Sequence, residues 1–188
     1  MAEDRMPPIA AEKLTDAQKA AAEEFLRTRK VPVSGPFVPL SRSPELMIAA
    51  SNMGLYLRYR SVLPPKISEF VILITARQWT QQLEWQIHFP IALKAGLDPA
   101  IAQAIAEGRR PEGMDEEETL AYEFSIELHH NRQVSDATYA KVVAKYGEQG
   151  AIDLAGINGY YSFLAMTMNM ARTAVEAGPQ PPLPAIPR

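Results

Sequence analysis

Glu84 and His88 stand four residues apart in QQLEWQIHFPIALKAG, where Leu83, Trp85, Ile87, Phe89, Ile91, Ala92 and Leu93 leave no wide polar face. On a helix a four-residue step puts both side chains on one side, so carboxyl and imidazole can touch or share a ligand. In apolar surroundings an unpartnered ionisable group is costly, or its pKa moves toward the neutral form. Glu69 lies upstream in KISEFVILITARQ, with Leu73 and Arg77 following at four-residue steps. The short connection from Gln78 to Thr80 folds these two helices into an antiparallel pair and brings Glu69 within reach of Glu84 and His88. Two carboxyls and one imidazole in a shared pocket suit proton transfer, because one pKa can rise while another group stays charged. Arg77 reads either as a clamp for a substrate carboxylate or as the neutraliser of Glu69. Trp85 is placed in the pocket wall. Tyr160 offers a hydroxyl to the pocket, although Tyr160 and Tyr161 equally suit an apolar core. The plain alternative for Glu84 and His88 is a buried structural ion pair.

Composition removes whole classes of chemistry. The chain has no cysteine, which excludes disulfides, thiolate nucleophiles and CxxC redox chemistry together. Only three histidines occur, His88, His129 and His130, too few and too badly spaced for a His-rich metal site, and no cofactor is expected. His129 and His130 close a helix, where a cationic side chain complements the dipole. The net charge is -3 with scattered basic residues, so the counterion-displacing footprint of a nucleic-acid binder is missing. MAEDRMPPIAAEK has acidic residues where a leader would be basic, and no run of 18 apolar residues follows, which predicts a cytoplasmic protein without a membrane span.

The elements that must position these residues are helices. Thr15 to Gln18 reads as a capping box opening a helix to about Arg29, and Ser43-Pro44-Glu45 opens a second through Tyr59, with VPVSGPFVPL an extended linker between them. Pro64-Pro65 stops that helix and KISEFVILITARQ forms a third, in which FVILIT is a buried helical segment because its flanks lack turn residues. A fourth runs from near Thr80 to Ala95, a short fifth from Asp98 to Gly108, and a sixth from Asp115 to about His130. A seventh spans Ser135 to Gly147 and the last runs from Glu148 to about Ala177. Met166, Met168 and Met170 cannot all share one face of that last helix, so some are core and some line an interface. With no strand alternation, the fold class is an all-α, single-domain bundle of about eight helices. An N-terminal helix and linker (1–40) precede the main helical domain (41–177), and a proline-rich arm (178–188) follows.

The spacing Glu69, eleven residues, Gln81-x-x-Glu84-x-x-x-His88 resembles the alkylhydroperoxidase-D pattern of Glu followed by Cys-x-x-Cys-x-x-x-His, with Gln81 and Glu84 at the cysteine positions. ARQWTQQLEWQIHFPIALKAGL and VSDATYAKVVAKYGEQGAIDLAGINGYYSFLAMTMNMA are similar to cysteine-free members of the carboxymuconolactone decarboxylase family, over roughly residues 40 to 175. The resemblance implies an all-α homo-oligomer (dimer, trimer or hexamer) with a pocket near helix contacts and cofactor-free proton chemistry on a small molecule. In that chemistry a carboxylated lactone loses carbon dioxide, and the enolate left behind is protonated on carbon. His88 is then the proton donor or shuttle, Glu84 its orienting or relaying partner, Glu69 a second acid/base, and Gln81 a substrate contact. Gln81 and Glu84 cannot form a sulfenate, so thiol peroxidase activity is excluded. A hydratase, isomerase or cyclase using the same residues, or a non-catalytic small-molecule binder, are the alternatives.

Overall fold

The computed structural model describes residues 3–175 and 183–184. Among these residues the chain is helical throughout, with α1 (Asp16–Arg29), α2 (Phe37–Leu40), α3 (Pro44–Tyr59), α4 (Pro65–Gln78), α5 (Gln82–Lys94), α6 (Pro99–Ala106), α7 (Glu116–Asn131) and α8 (Asp136–Ala171). The all-α class and the order of the long helices agree with the sequence reading. No described helix is long and apolar enough to cross a membrane.

The caps follow local chemistry. Thr15 and Gln18 form the reciprocal box, with Gln18 N–H donating to the Thr15 hydroxyl at 3.3 Å and Thr15 N–H to the Gln18 carbonyl at 3.0 Å. Asp115 and Glu118 repeat the arrangement on α7, and Lys66 bridges both carboxylates at 2.6 and 3.0 Å. Ser43 differs from expectation: its backbone is too far from the usual cap geometry for its hydroxyl to bond, and Pro44 at the first helical position starts α3. The linker also differs, because Phe37–Leu40 coils into one helical turn that buries Phe37, Pro39 and Leu40. Gly147 breaks the last long helix with φ 72° and ψ 176°, so α8 is two segments joined at a kink, where two helices were predicted. The second segment ends at Ala171, not Ala177, at a left-handed Arg172.

α4 is the axis of the bundle. Ile67 and Phe70 through Ile74 are 0–1 % exposed, and the helix packs on α3, α5, α6, α7 and α8. Ile, Phe, Val and Leu all round a helix leave it nowhere to go but the interior. α5 is less buried than its composition predicts. Only Glu84, Trp85, His88 and Ala92 are buried within it, while Ile87 and Pro90 are exposed. Met168 is core, whereas Met166 and Met170 are exposed, as their alternation requires. Most of the predicted proline-rich arm lies outside the described residues. Leu183 and Pro184 return to the body, where Leu183 is buried and exchanges two hydrogen bonds with the Gln82 amide, at 2.8 and 2.9 Å.

Candidate functional site

Trp79–Gln81 turns the chain, with Thr80 left-handed at φ 47°, and folds α5 back along α4. That hairpin sets His88 against Glu69: Nδ1 of the imidazole lies 2.6 Å from the Glu69 carboxylate. The carboxylate accepts, so Nδ1 carries the proton and the tautomer leaves Nε2 as the lone-pair nitrogen. Arg58, reaching in from α3, donates through Nε and Nη2 to the other Glu69 oxygen at 3.3 and 3.1 Å. Burial pushes Glu69 up, but the His88 hydrogen bond and the Arg58 guanidinium outweigh it and hold the carboxyl below its usual range. Burial pulls His88 down, with Arg58 adding to that pull, and Glu69 offsets only part of it. Near neutral pH the pair is therefore a carboxylate and a neutral, oriented imidazole. The partner of His88 is thus Glu69 and not Glu84 as the four-residue step suggested.

Glu84 is the opposite case. It is 2 % exposed, and neither carboxyl oxygen has a hydrogen-bond partner among the described residues. Burial raises its pKa well above the ordinary carboxyl value, which favours the protonated form. Two acids one helical hairpin apart are thereby shifted in opposite directions, Glu69 down by the His88 and Arg58 partners beside it and Glu84 up by burial without a partner among the described residues.

Glu84, His88 and Arg58 line one cavity of about 800 Å³ between α1, α3, α5 and α8, with Phe25, Phe37, Leu164 and the two tyrosines also in its lining. Tyr161 meets the His88 ring edge-on at 5.1 Å, and Tyr160 meets Tyr161 in the same way at 5.2 Å. Burial pushes the Tyr160 hydroxyl up to about 12 despite Arg29 nearby, so it acts as a neutral donor or acceptor. Tyr160 therefore serves both readings at once, as core on one side and cavity lining on the other.

Three predicted site residues lie elsewhere. Arg77 is two helical turns past Glu69, about 12 Å along the axis, too far to neutralise it; it is buried and gives Nη1 to the Pro184 carbonyl. Gln81 precedes the first turn of α5 with extended backbone, so it leaves the Glu84–His88 face. Its carbonyl caps Leu83 N–H at 2.8 Å and its amide donates to Asn169. Trp85 is buried beside Phe89 and lines no part of the cavity. The residues missed were Arg58 and Arg29, which arrive from helices whose approach no local spacing encodes. Of the other histidines, His129 sits 3.4 Å from Thr75 in a core polar group, and His130 lies 3.2 Å from Gln78. No protein family and no curated protein matches the chain.

Proposed function

We propose that the chain is a cofactor-independent acid/base enzyme of the carboxymuconolactone decarboxylase kind, a carboxy-lyase acting on a small carboxylated lactone or related aromatic-degradation intermediate, and working as a homo-oligomer. The observation that carries the reading is Glu84: a buried carboxyl, unpartnered on both oxygens among the described residues and with its pKa raised by burial, in the same cavity as an imidazole fixed by a carboxylate. A purely structural acid in a core is normally hydrogen-bonded, because an unsatisfied buried group costs about 1–3 kcal/mol. An acid kept neutral is what carbon protonation needs.

In this mechanism the carbon–carboxylate bond breaks and its electron pair enters the conjugated lactone as an enolate, while neutral carbon dioxide leaves. Glu84 gives its proton to carbon and becomes a carboxylate. The ionised acid regains its proton from solvent by way of His88 Nε2, with Glu69 stabilising the imidazolium that forms in passing and Arg58 holding Glu69 ionised. The resemblance in the α4–α5 region supports the assignment of the reaction. A hydratase, isomerase or cyclase would use the same relay, and the product distinguishes it.

The test follows carbon dioxide release and deuterium uptake on carbon with γ-carboxylated lactones. Glu84→Gln and His88→Ala are each expected to lower turnover by about a hundredfold or more, the scale of one positioned acid or base, with the helical fold intact. Full activity in both folded variants would remove the assignment, and deuterium uptake without gas release would move the reaction to the isomerase class.

A further inference from the structure

Arg29 closes the end of α1 and lines the same cavity as Glu84 and His88. Its guanidinium stacks over the Phe37 ring at 4.6 Å and stands 5.6 Å from Phe25. Ser51 takes two of its donors, the hydroxyl accepting from Nε at 2.8 Å and the carbonyl accepting from Nη2 at 2.9 Å. Neither acceptor is charged, and among the described residues Arg29 enters no ion pair. The other arginine of the cavity, Arg58, is neutralised by Glu69. Asp4 stands at the rim, but its oxygens accept from the backbone amides of Met6 and Ala174. A cation oriented by Ser51 and two aromatic rings, with the neutral Tyr160 hydroxyl as its further hydrogen-bond neighbour and no charged partner among the described residues, is preorganised for a planar anion.

The floor beneath it is shaped for the same purpose. Gly54 lies inside α3, where alanine would favour the helix, yet a Cβ there would strike the Tyr160 hydroxyl and come within 2.7 Å of Arg29. The missing side chain is what lets guanidinium and phenol share one corner of the cavity.

We infer that Arg29 is the carboxylate-binding residue of the cavity, and that the ligand is a small ring acid whose carboxylate pairs with the Arg29 guanidinium while its ring lies among Phe37, Tyr160 and Leu164. The inference goes beyond the acid/base reading and does not require it, since a non-catalytic binder would use Arg29 in the same way. It moves the anion-recognising role from Arg77, which the Pro184 carbonyl occupies, to a helix outside the α4–α5 pair.

Benzoate and benzamide, alike in shape and different in charge, are the probes, titrated by calorimetry into the full chain. Benzoate is expected to bind at least about tenfold more tightly than benzamide, the worth of one charge-assisted contact. Arg29→Gln should abolish that preference by weakening benzoate alone, Arg29→Lys should retain part of it, and Arg77→Gln should leave it unchanged. A wild-type read-out that needs no variant is phenylglyoxal labelling followed by peptide mass measurement, in which benzoate should protect Arg29 and leave the exposed Arg109 and Arg110 reactive. Equal affinities for the two probes, no benzoate binding at millimolar concentration, an unchanged preference in Arg29→Gln, or unprotected Arg29 each overturn the assignment. Glu84→Gln separates the two readings: it should lower turnover by about a hundredfold and leave benzoate affinity within about twofold of wild type, so retained turnover counts against the acid/base reading alone, and an Arg29→Gln variant that keeps the benzoate preference counts against the Arg29 assignment alone.

Discussion

At the scale of single residues, the division of labour between Glu69 and Glu84 is an electrostatic consequence of who stands beside each. Both are buried carboxyls on neighbouring helices, and only Glu69 has a guanidinium and an imidazole against it. Glu84 consequently holds its proton above the 4.5 at which the unfolded chain releases it. The sign of the linkage follows directly. Over the window from pH 4.5 upward to the raised pKa the native state binds the extra proton, so its contribution to stability is complete below that window and falls as pH rises through it. The slope reaches at most about 1.4 kcal/mol per pH unit. Glu84→Gln removes this proton, and urea unfolding at a series of pH values should show the variant losing less stability than wild type as pH increases. Parallel stability–pH curves would mean that Glu84 ionises normally in the folded protein. His88 acts with the opposite sign: its lowered pKa costs stability as pH falls below 6.5, where the unfolded chain takes up a proton first. Comparing wild type with Glu84→Gln cancels that background.

At the scale of elements, what was legible in the sequence is what local periodicity and caps encode. The α4–α5 hairpin could be read because one short turn joins two strongly apolar helices, and that alone brings Glu69 to His88. Gln81 could not be placed by spacing, because position in a Cys-x-x-Cys-like pattern says nothing about which residue is the cap and which the first helical turn. The half-open face of α5 was equally invisible: Ile87 looks like core in a string of letters, and only the arrangement of the neighbouring helices leaves it outside. Gly147 was legible as a stop. Its φ of 72° and ψ of 176° fall where residues with a side chain are strained, although a Cβ there would meet nothing within 4 Å. Gly147→Ala is therefore expected to destabilise through backbone strain alone, by about 1–3 kcal/mol. Gly159, exposed within regular helix and equally uncrowded, supplies the contrast: Gly159→Ala should stabilise by about 0.5–1 kcal/mol. Denaturant midpoints of the two variants check both signs, and a neutral Gly147→Ala would show that the kink relaxes without cost.

At the scale of the whole molecule, the site is assembled from helices distant in sequence, which is why its two arginines escaped a reading built on spacing. Arg58 comes from α3 and Arg29 from α1, and their positions depend on how α1 leans on α3 and α3 on α8 rather than on any motif. The same packing leaves an apolar surface that argues for the proposed self-association. Met166 and Met170, one turn apart on α8, are 45 % and 50 % exposed, and Trp79 beside them is 37 % exposed. Trp79 is held there by its indole N–H on the Ser162 hydroxyl at 3.0 Å, and its carbonyl accepts from Asn169 at 3.1 Å. An indole and two thioethers fixed on one face gain by burial about 25 cal/mol for each Å² of apolar surface removed from water, and Met is well suited to an interface formed between copies. The expected solution mass is a small multiple of 20.8 kDa, read by light scattering on a sizing column. The double variant Met166→Glu, Met170→Glu puts two charges where desolvation is required, so it should shift the mass to that of a single chain while circular dichroism keeps the helical signal. A wild-type mass of one chain removes the homo-oligomer from the proposed function, and an unchanged mass in the double variant places the interface on a different face.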